Sequence, residues 1–244
     1  MKKILYLFVF GFMFVGLSNV KASTYYTSSK NVNFTKEQYD FISNLFYDGY
    51  QEVMKQSDLD KMVELDLIGK PISKKTSTIN IPINPKSTSV YYGGRTLTIA
   101  STCTSQCLVV LVAQWGCTPS VQSWDVIGIR HSGVTINQVN LASVAGTGYS
   151  ATYYTTSTQY QSFSNGWGYS VKLGNSSNLK ISTSMYTQQG GTVYGSYQHA
   201  YQTVSLATSK LYTISAGGYG SVFLFSGNAY GKYDGAPGVY KLVS

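Results

Sequence analysis

Residues 95–115, RTLTIASTCTSQCLVVLVAQW, contain two strand patterns separated by a short polar segment. In residues 95–102, apolar Leu97 and Ile99 alternate with threonines, which is the period of a strand with one buried face. Residues 108–115 are nearly all apolar, as in a central strand that is covered on both faces. The stretch therefore predicts β-structure with two strands close together in the chain.

The cysteines of this stretch predict a disulfide. If residues 104–106 form a hairpin loop, Cys103 and Cys107 face each other on paired strands, at a distance that a disulfide can bridge. In one continuous strand about 13 Å would separate them and no bridge could form. We favour the hairpin bridge, which leaves Cys117 buried or free. A zinc site from the three cysteines and His131 would lack a paired Cys-x-x-Cys spacing, so no metal site is predicted.

The period of two continues from about residue 76 to the C-terminus, with glycine, proline and asparagine turn signals between the strands. Ten or so short strands over about 170 residues fit an antiparallel β-sandwich or jelly roll. A domain of this length can bury a core without help from a metal or a disulfide scaffold. Beyond the opening stretch, the predicted strands include residues 124–131, 134–144, 149–160, 167–173, 179–186, 193–206, 210–215, 221–226 and 239–243.

Residues 23–75, which we call the head, have a helical period instead. Thr35-Lys36-Glu37-Gln38 has the pattern of a capping box, and apolar residues then recur at steps of three and four. We predict helices over about 35–55 and 58–68. Two such helices cannot bury a core alone, so they dock on the β domain (residues 76–244), dock on a partner, or stay loosely folded.

Residues 1–22 have the pattern of a secretory signal peptide. Lys2 and Lys3 precede an apolar run over residues 4–17, and Ala22 supplies a small residue at the predicted cleavage site. The run is shorter than a membrane-spanning helix requires. The sequence therefore predicts a secreted protein that is cleaved after Ala22, with no transmembrane helix in the mature chain.

Charge divides the mature chain into two parts. Residues 23–66 hold four lysines and eight acids, a balance of −4, whereas residues 67–244 hold eleven lysines and arginines against two acids, a balance of +9. A basic surface attracts anionic surface polymers or lipid headgroups, and nucleic acid is not expected as a partner of an exported protein. The acidic head is therefore a candidate cover for the basic β domain, although a solvated helical spacer is an equal alternative.

The scarcity of carboxylates argues against catalysis. Asp125 and Asp234 are the only acids after residue 66, whereas glycosidases usually require a pair, and Asp234 lies in a turn pattern where Asp is common. Asp125 and His131 would lie about 20 Å apart on one strand, too far to bond. We predict no catalytic residue and no cofactor, which leaves open a hydrolase of unrecognised type.

Asp125 is nevertheless placed unusually. On a strand it shares a face with Ile127 and Ile129. A carboxylate on an apolar face is costly unless it is paired. We therefore expect either a hydrogen-bonded structural role or a ligand contact.

The tyrosine-rich surface is the strongest positive feature. In the predicted strand 193–206, the face with Val204 and Leu206 is the better candidate for the core, which would leave Tyr197, His199 and Tyr201 on the opposite face as a row near solvent. Aromatic rings beside amides suit stacking on a sugar while bonding its hydroxyls, although strand propensity alone also enriches tyrosine. The candidate ligand-binding residues are Tyr197, His199, Tyr201, Trp167 and Asp125.

Three possible functions follow. The first is a secreted, non-catalytic binding or adhesion protein that recognises a glycan or another surface polymer. The alternative is a β-pore-forming effector, because Ser/Thr-rich alternation over residues 150–164 and 176–187 can form an amphipathic membrane hairpin. In composition this alternation resembles aerolysin-like toxins. A secreted hydrolase is the third possibility.

Overall fold

The computed structural model describes residues 23–82, 92–146, 149–154, 159–215 and 222–244, so the predicted signal peptide lies outside the described residues. The fold is mainly β with antiparallel sheets and few helices, as predicted. The helices are α1 (Lys36–Leu45), α2 (Gln56–Glu64) and α3 (Leu206–Ser209), with 3-10 turns at Tyr50–Glu52 and Gly227–Ala229. The strands are β1 (Tyr26–Thr27), β2 (Asn33–Phe34), β3 (Ser73–Pro82), β4 (Tyr92–Cys103), β5 (Cys107–Trp115), β6 (Trp124–Ser132), β7 (Ile136–Gly146), β8 (Tyr149–Tyr154), β9 (Tyr160–Phe163), β10 (Gly166–Lys172), β11 (Lys180–Thr187), β12 (Thr192–Gln198), β13 (Tyr212–Ile214), β14 (Phe223–Phe225) and β15 (Val239–Leu242).

Two antiparallel sheets form the body of the molecule. One has six strands in the order β3-β4-β5-β11-β7-β8, and the other has five in the order β15-β12-β6-β10-β9. The inward faces of both sheets contribute side chains to one continuous apolar core. Leu111 and Ile181 of the first sheet and Ile127 and Val171 of the second are fully buried in it. The alternation of apolar residues therefore places one face of each sheet in a shared core.

The opening stretch forms a hairpin within the six-stranded sheet. β4 and β5 pair antiparallel with Cys103 opposite Cys107, and a disulfide joins the two cysteines, so the predicted hairpin bridge is confirmed. Cys117 is half-buried and unbridged. Because β5 is covered on both faces, Leu111 lies in the core between the sheets while Val110 lies beneath the helices of the head.

The head packs on the outer face of the six-stranded sheet. Its apolar side chains, with Ile42 and Leu45 among the most buried, form a second core with Leu108 and Val110 of β5. The capping box is formed, because Gln38 N donates to Thr35 Oγ1 at 3.2 Å and Thr35 N donates to Gln38 Oε1 at 2.8 Å. α1 ends at Leu45, earlier than the predicted residue 55, and the chain then turns at Gly49, which has a φ of 89°, into the 3-10 turn. The apolar stripe therefore reaches the sheet through a helix and a 3-10 turn.

Residues after β12 cover the outer face of the five-stranded sheet. The paired strands β13 and β14 form a third core there with Val204 and with Val126 of β6, and Tyr212 and Phe223 are buried in it. Gly128 and Gly168 leave room for these rings, since a Cβ on either glycine would come within 2.9 Å of Phe223. The body is thus covered by a helical layer on one side and by an aromatic layer on the other.

The strands that suggested a membrane hairpin are engaged in sheet pairing. Residues 180–187 form β11, which pairs with β5 on one side and with β7 on the other. The predicted strand 149–160 is wrong as a single element, because β8 lies in the six-stranded sheet and β9 in the five-stranded one. No helix among the described residues is long and apolar enough to cross a membrane.

Candidate ligand-binding site

A cluster of polar and aromatic side chains occupies one end of the two sheets. Four members come from strand ends, where β4 and β6 begin and where β5 and β12 finish, and two come from the irregular segments that follow. All six side chains are almost entirely shielded from solvent. We call this the polar cluster, and its members are Arg95, Trp115, Asp125, Tyr197, His199 and Asp234.

Asp125 is the hub of the polar cluster. Its side chain is fully buried and points into the core side of β6, on the face that it shares with Ile127, as predicted. Its carboxylate accepts hydrogen bonds from the Tyr197 hydroxyl and from the Ala200 N–H, and Nδ1 of His199 lies 2.9 Å from Oδ2. A buried carboxylate with three partners meets the condition that makes its burial tolerable.

Tyr197 connects Asp125 to the indole of Trp115. Its hydroxyl accepts from Trp115 Nε1 at 3.1 Å and donates to Asp125. Burial raises the pKa of Tyr197 well above its ordinary value, and the nearby charge of Asp125 raises it further. The hydroxyl therefore stays protonated and remains a donor across the neutral pH range.

The predicted solvent-facing row on this strand is wrong. Tyr197 is 1% exposed and His199 is 4% exposed, whereas Tyr201 is 55% exposed. Tyr197 pairs with Ile127 on the inward face of the five-stranded sheet, and β12 ends at Gln198 rather than continuing to residue 206. Because the other face of β12 is also covered, alternation alone could not identify the core side.

Arg95 and Asp234 form a second buried pair within the polar cluster. Nη1 of Arg95 lies 2.8 Å from Oδ2 of Asp234, in charge contact but without the alignment of a hydrogen bond. The guanidinium also lies 4.8 Å from the ring centre of Tyr197, within cation–π range. Asp234 Oδ1 accepts from the N–H groups of His199 and Ala236. Asp234 is therefore a turn residue, as its sequence context predicts, and also the buried counter-ion of Arg95.

His199 is fixed on one side by Asp125. Its ring meets the Trp115 ring edge-on, with centroids 4.7 Å apart. Among the described residues, the second ring nitrogen, Nε2, has no hydrogen-bond partner. The ring is thus oriented through Nδ1, with Nε2 available as a donor or acceptor.

The remaining predicted residues lie in different places. Partial burial raises the pKa of Tyr201, and the charge of Asp234 in the nearby polar cluster raises it further. Trp167 of β10 lies in the core, opposite Ile129 of β6 and beside His131. It is about 13 Å farther along the sheet than Asp125. The structure therefore brings Asp125, Tyr197 and His199 together, places Tyr201 next to them, and leaves Trp167 apart.

An open groove of about 220 Å³ lies behind the polar cluster, on the outer side of the segment that carries His199. We call it the aromatic groove, and its main lining residues are Gln198, Phe223, Leu224, Phe225, Tyr230 and Tyr233. The rings of Phe225 and Tyr233 stack with centroids 4.0 Å apart, whereas Tyr230 is 79% exposed. The groove thus offers flat aromatic surface to solvent.

Gln198 gives this groove a polar group. Its Nε2 donates to the carbonyl of Ala236 at 2.7 Å and to Ser196 Oγ at 3.1 Å. Its Oε1 is buried and has no partner within the described part of the chain. Since a buried acceptor without a partner is costly, this oxygen is a natural contact for a ligand hydroxyl.

Sequence reasoning missed Arg95 and Trp115 in the polar cluster and most residues of the aromatic groove. The predicted strand over residues 221–226 and the turn signal at residues 232–235 pointed to local structure in this region, but neither indicated a groove. Comparison with known proteins adds no further guide, since no protein-family model matches the chain and no curated protein matches it.

Proposed function

We propose that this protein is a secreted, non-catalytic binding or adhesion protein that recognises a glycan on a β-sandwich scaffold. One observation carries the proposal: in the aromatic groove, the exposed ring of Tyr230 lies beside the stacked Phe225 and Tyr233, with the unpaired Gln198 Oε1 in the same lining. The proposed binding surface is therefore this groove and not the row of Tyr197, His199 and Tyr201 that the sequence predicted.

The chemistry of the groove suits a sugar ring. The C–H face of a pyranose stacks on flat aromatic side chains, and its hydroxyls need a small number of polar partners. Tyr230 and the Phe225–Tyr233 pair supply the first requirement, and Gln198 supplies an acceptor for the second. Because the groove is open, it suits a segment of a surface polymer better than an enclosed small molecule.

The polar cluster supports this function by positioning the groove. Asp125 holds the N–H of Ala200, and Asp234 holds the N–H groups of His199 and Ala236. These backbone segments flank Gln198 and Tyr233, which line the groove. The buried charges therefore fix the backbone beneath the binding surface, a role that requires no catalysis.

Export is part of the proposal. The pattern of residues 1–22 supports secretion after cleavage at Ala22, and the Cys103–Cys107 disulfide supports an oxidising compartment. A glycan or anionic surface polymer outside the cell is therefore the proposed partner, and nucleic acid is not.

A glycan array followed by titration calorimetry tests the proposal. We expect Tyr230→Ala to weaken binding of the array hit by at least about tenfold, because the stacking ring is lost. Tyr25→Ala is the matched control, since Tyr25 is 53% exposed on the head and outside the groove. Wild-type protein that binds no glycan, or a Tyr230→Ala variant that binds as well as wild type, would overturn the proposal.

The geometry of His199 favours a second candidate, a secreted hydrolase. Asp125 orients Nδ1 while Nε2 has no partner among the described residues, and this arrangement is the one through which a histidine transfers protons in catalysis. Release of reducing ends from array-positive glycans by wild type but not by His199→Asn would support this candidate, and absence of release by wild type would remove it.

A further inference from the structure

A second groove lies on the opposite side of the molecule, between the head and the outer face of the six-stranded sheet. It has a volume of about 400 Å³, within the usual range of small-ligand sites. Residues 43–48, at the end of α1, form one wall, and strands β3, β4, β5 and β11 form the other. We call it the lysine groove, because Lys74 and Lys180 both line it.

The two lysines are held by neutral oxygens. Lys74 Nζ donates to the backbone carbonyl of Asn44 and, at 2.8 Å, to Asn44 Oδ1. Lys180 Nζ donates to the backbone carbonyl of Asp48 at 2.9 Å and lies 5.1 Å from the ring centre of Tyr47. The ammonium groups are therefore oriented by the head at the mouth of the groove.

Neither ammonium group is neutralised. Within the described ranges, Lys74 and Lys180 form no ion pair, whereas Lys36, Lys61 and Lys70 each pair with a carboxylate. A lysine ammonium has three hydrogen-bond donors. Lys74 uses two of its donors and Lys180 uses one. Asp48 is the single acid in the lining, so the lining carries one net positive charge with donors to spare.

The floor of the groove is formed by hydroxyl and amide side chains. Thr76 and Thr98 face each other across β3 and β4 with their Oγ1 atoms 2.9 Å apart. Thr96 and Gln114 are a cross-strand pair in the neighbouring row. Such side chains can form hydrogen bonds with the hydroxyl groups of a sugar. The two lysines would favour a sugar that carries a carboxylate.

We propose that the lysine groove binds an acidic saccharide, with its carboxylate attracted by Lys74 and Lys180 and its hydroxyls bonded by Thr76, Thr98 and Gln114. A carboxylate fits better than a more highly charged phosphate, because Asp48 repels dense negative charge at the same opening. This site is separate from the aromatic groove and lies on the other sheet.

Calorimetry on the full mature chain tests this inference, with a galacturonic acid trisaccharide as probe and the neutral galactose trisaccharide as its comparison. We expect the acidic probe to bind at least about tenfold more tightly than the neutral one, and its affinity to fall with rising salt. Lys180→Gln and Lys74→Gln should each weaken it by about tenfold, and Lys172→Gln, which removes the same charge outside the groove, should not. Equal losses in all three variants would indicate non-specific charge attraction and overturn the inference, as would absence of binding.

Weaker binding by the lysine variants could also result from misfolding, because both lysines contact the head. A variant that keeps these contacts separates the two explanations. Thr98→Val keeps the shape of the side chain and removes the hydroxyl that faces Thr76. We expect about fivefold weaker binding of the acidic probe. An unchanged affinity would show that the Thr76–Thr98 pair does not contact the saccharide, and would contradict its place in the site. Tyr230→Ala should bind the acidic probe as wild type does, so failure of one site is distinguishable from failure of the other.

Discussion

Nδ1 of His199 lies 2.9 Å from Oδ2 of Asp125, at the point where the chain leaves the five-stranded sheet after β12. The two residues are 74 positions apart in the chain. Their contact, together with that of Asp125 on the Ala200 N–H, ties the start of the aromatic layer to the start of β6. The stability of the site therefore depends on one carboxylate.

Replacement of that carboxylate by an amide should be costly. Asp125→Asn removes the charge that faces His199 and presents an N–H group to one or more donors, so we expect the free energy of unfolding to fall by about 3 kcal/mol. Urea denaturation followed by circular dichroism measures the loss. Asp40→Asn, which breaks an exposed pair with Lys36, should change nothing measurable. Similar stabilities for both variants would contradict the role of Asp125 as a hub.

Removal of the Tyr197 hydroxyl should have a smaller effect. Tyr197→Phe keeps the ring against Arg95 but leaves Trp115 Nε1 and one acceptor position of Asp125 without a partner. We expect a loss of about 1–3 kcal/mol in the free energy of unfolding. Thermal denaturation of this variant beside Tyr25→Phe, an exposed control, measures the difference. A Tyr197→Phe variant as stable as the control would show that the buried hydroxyl contributes nothing.

Alkaline pH should unfold the protein. Burial raises the pKa of five tyrosines with buried side chains above the ordinary value of 10.0, namely Tyr169, Tyr186, Tyr197, Tyr212 and Tyr233. Above the unfolded-state pKa the folded chain binds more protons at these positions than the unfolded chain does, so stability is full below about pH 10 and falls as the pH rises further. Tyrosinate absorbance should rise together with the loss of circular dichroism. Ionisation of all tyrosines in a protein with an intact native spectrum would contradict this.

The disulfide should be detectable and of modest energetic value. Mass spectrometry after thiol alkylation should find one reactive cysteine, Cys117, without reductant and three with it. Because the bridge closes a loop with a sequence separation of only 4, the Cys103→Ala/Cys107→Ala double variant should lose about 2 kcal/mol at most. Three reactive thiols in the untreated protein would contradict the bridge.

Local patterns predicted the sheets well and the site only in part. β5, β6, β10 and β11 begin and end within one residue of their predicted limits, and the face of Asp125 follows from the period of its strand. The buried face of β12 was not predictable, since Tyr197 packs on one side and Gln198 on the other and both are covered. Neither was the Arg95–Asp234 pair, which depends on two distant segments meeting at one end of the sheets.

The aromatic groove was beyond prediction for a different reason. Its lining comes from the end of a strand, a three-residue strand and a 3-10 turn with the residues that follow it. The strand patterns over residues 193–206 and 221–226 do not indicate this grouping, because only tertiary packing brings the segments together. The tyrosine-rich composition indicated an aromatic surface but could not give its position.

The burial of β5 on both faces has a consequence for the order in which the chain folds. The helices of the head leave the ribosome first, but the surface that receives their apolar stripe includes Val110 of β5 and Tyr186 of β11, which are synthesised much later. Until β11 has been synthesised, the apolar face of these helices has no complete packing surface, and exposed apolar surface promotes aggregation. The head therefore does not complete its packing ahead of the β domain. It is translated before the β domain and is one of the last parts to reach its native contacts.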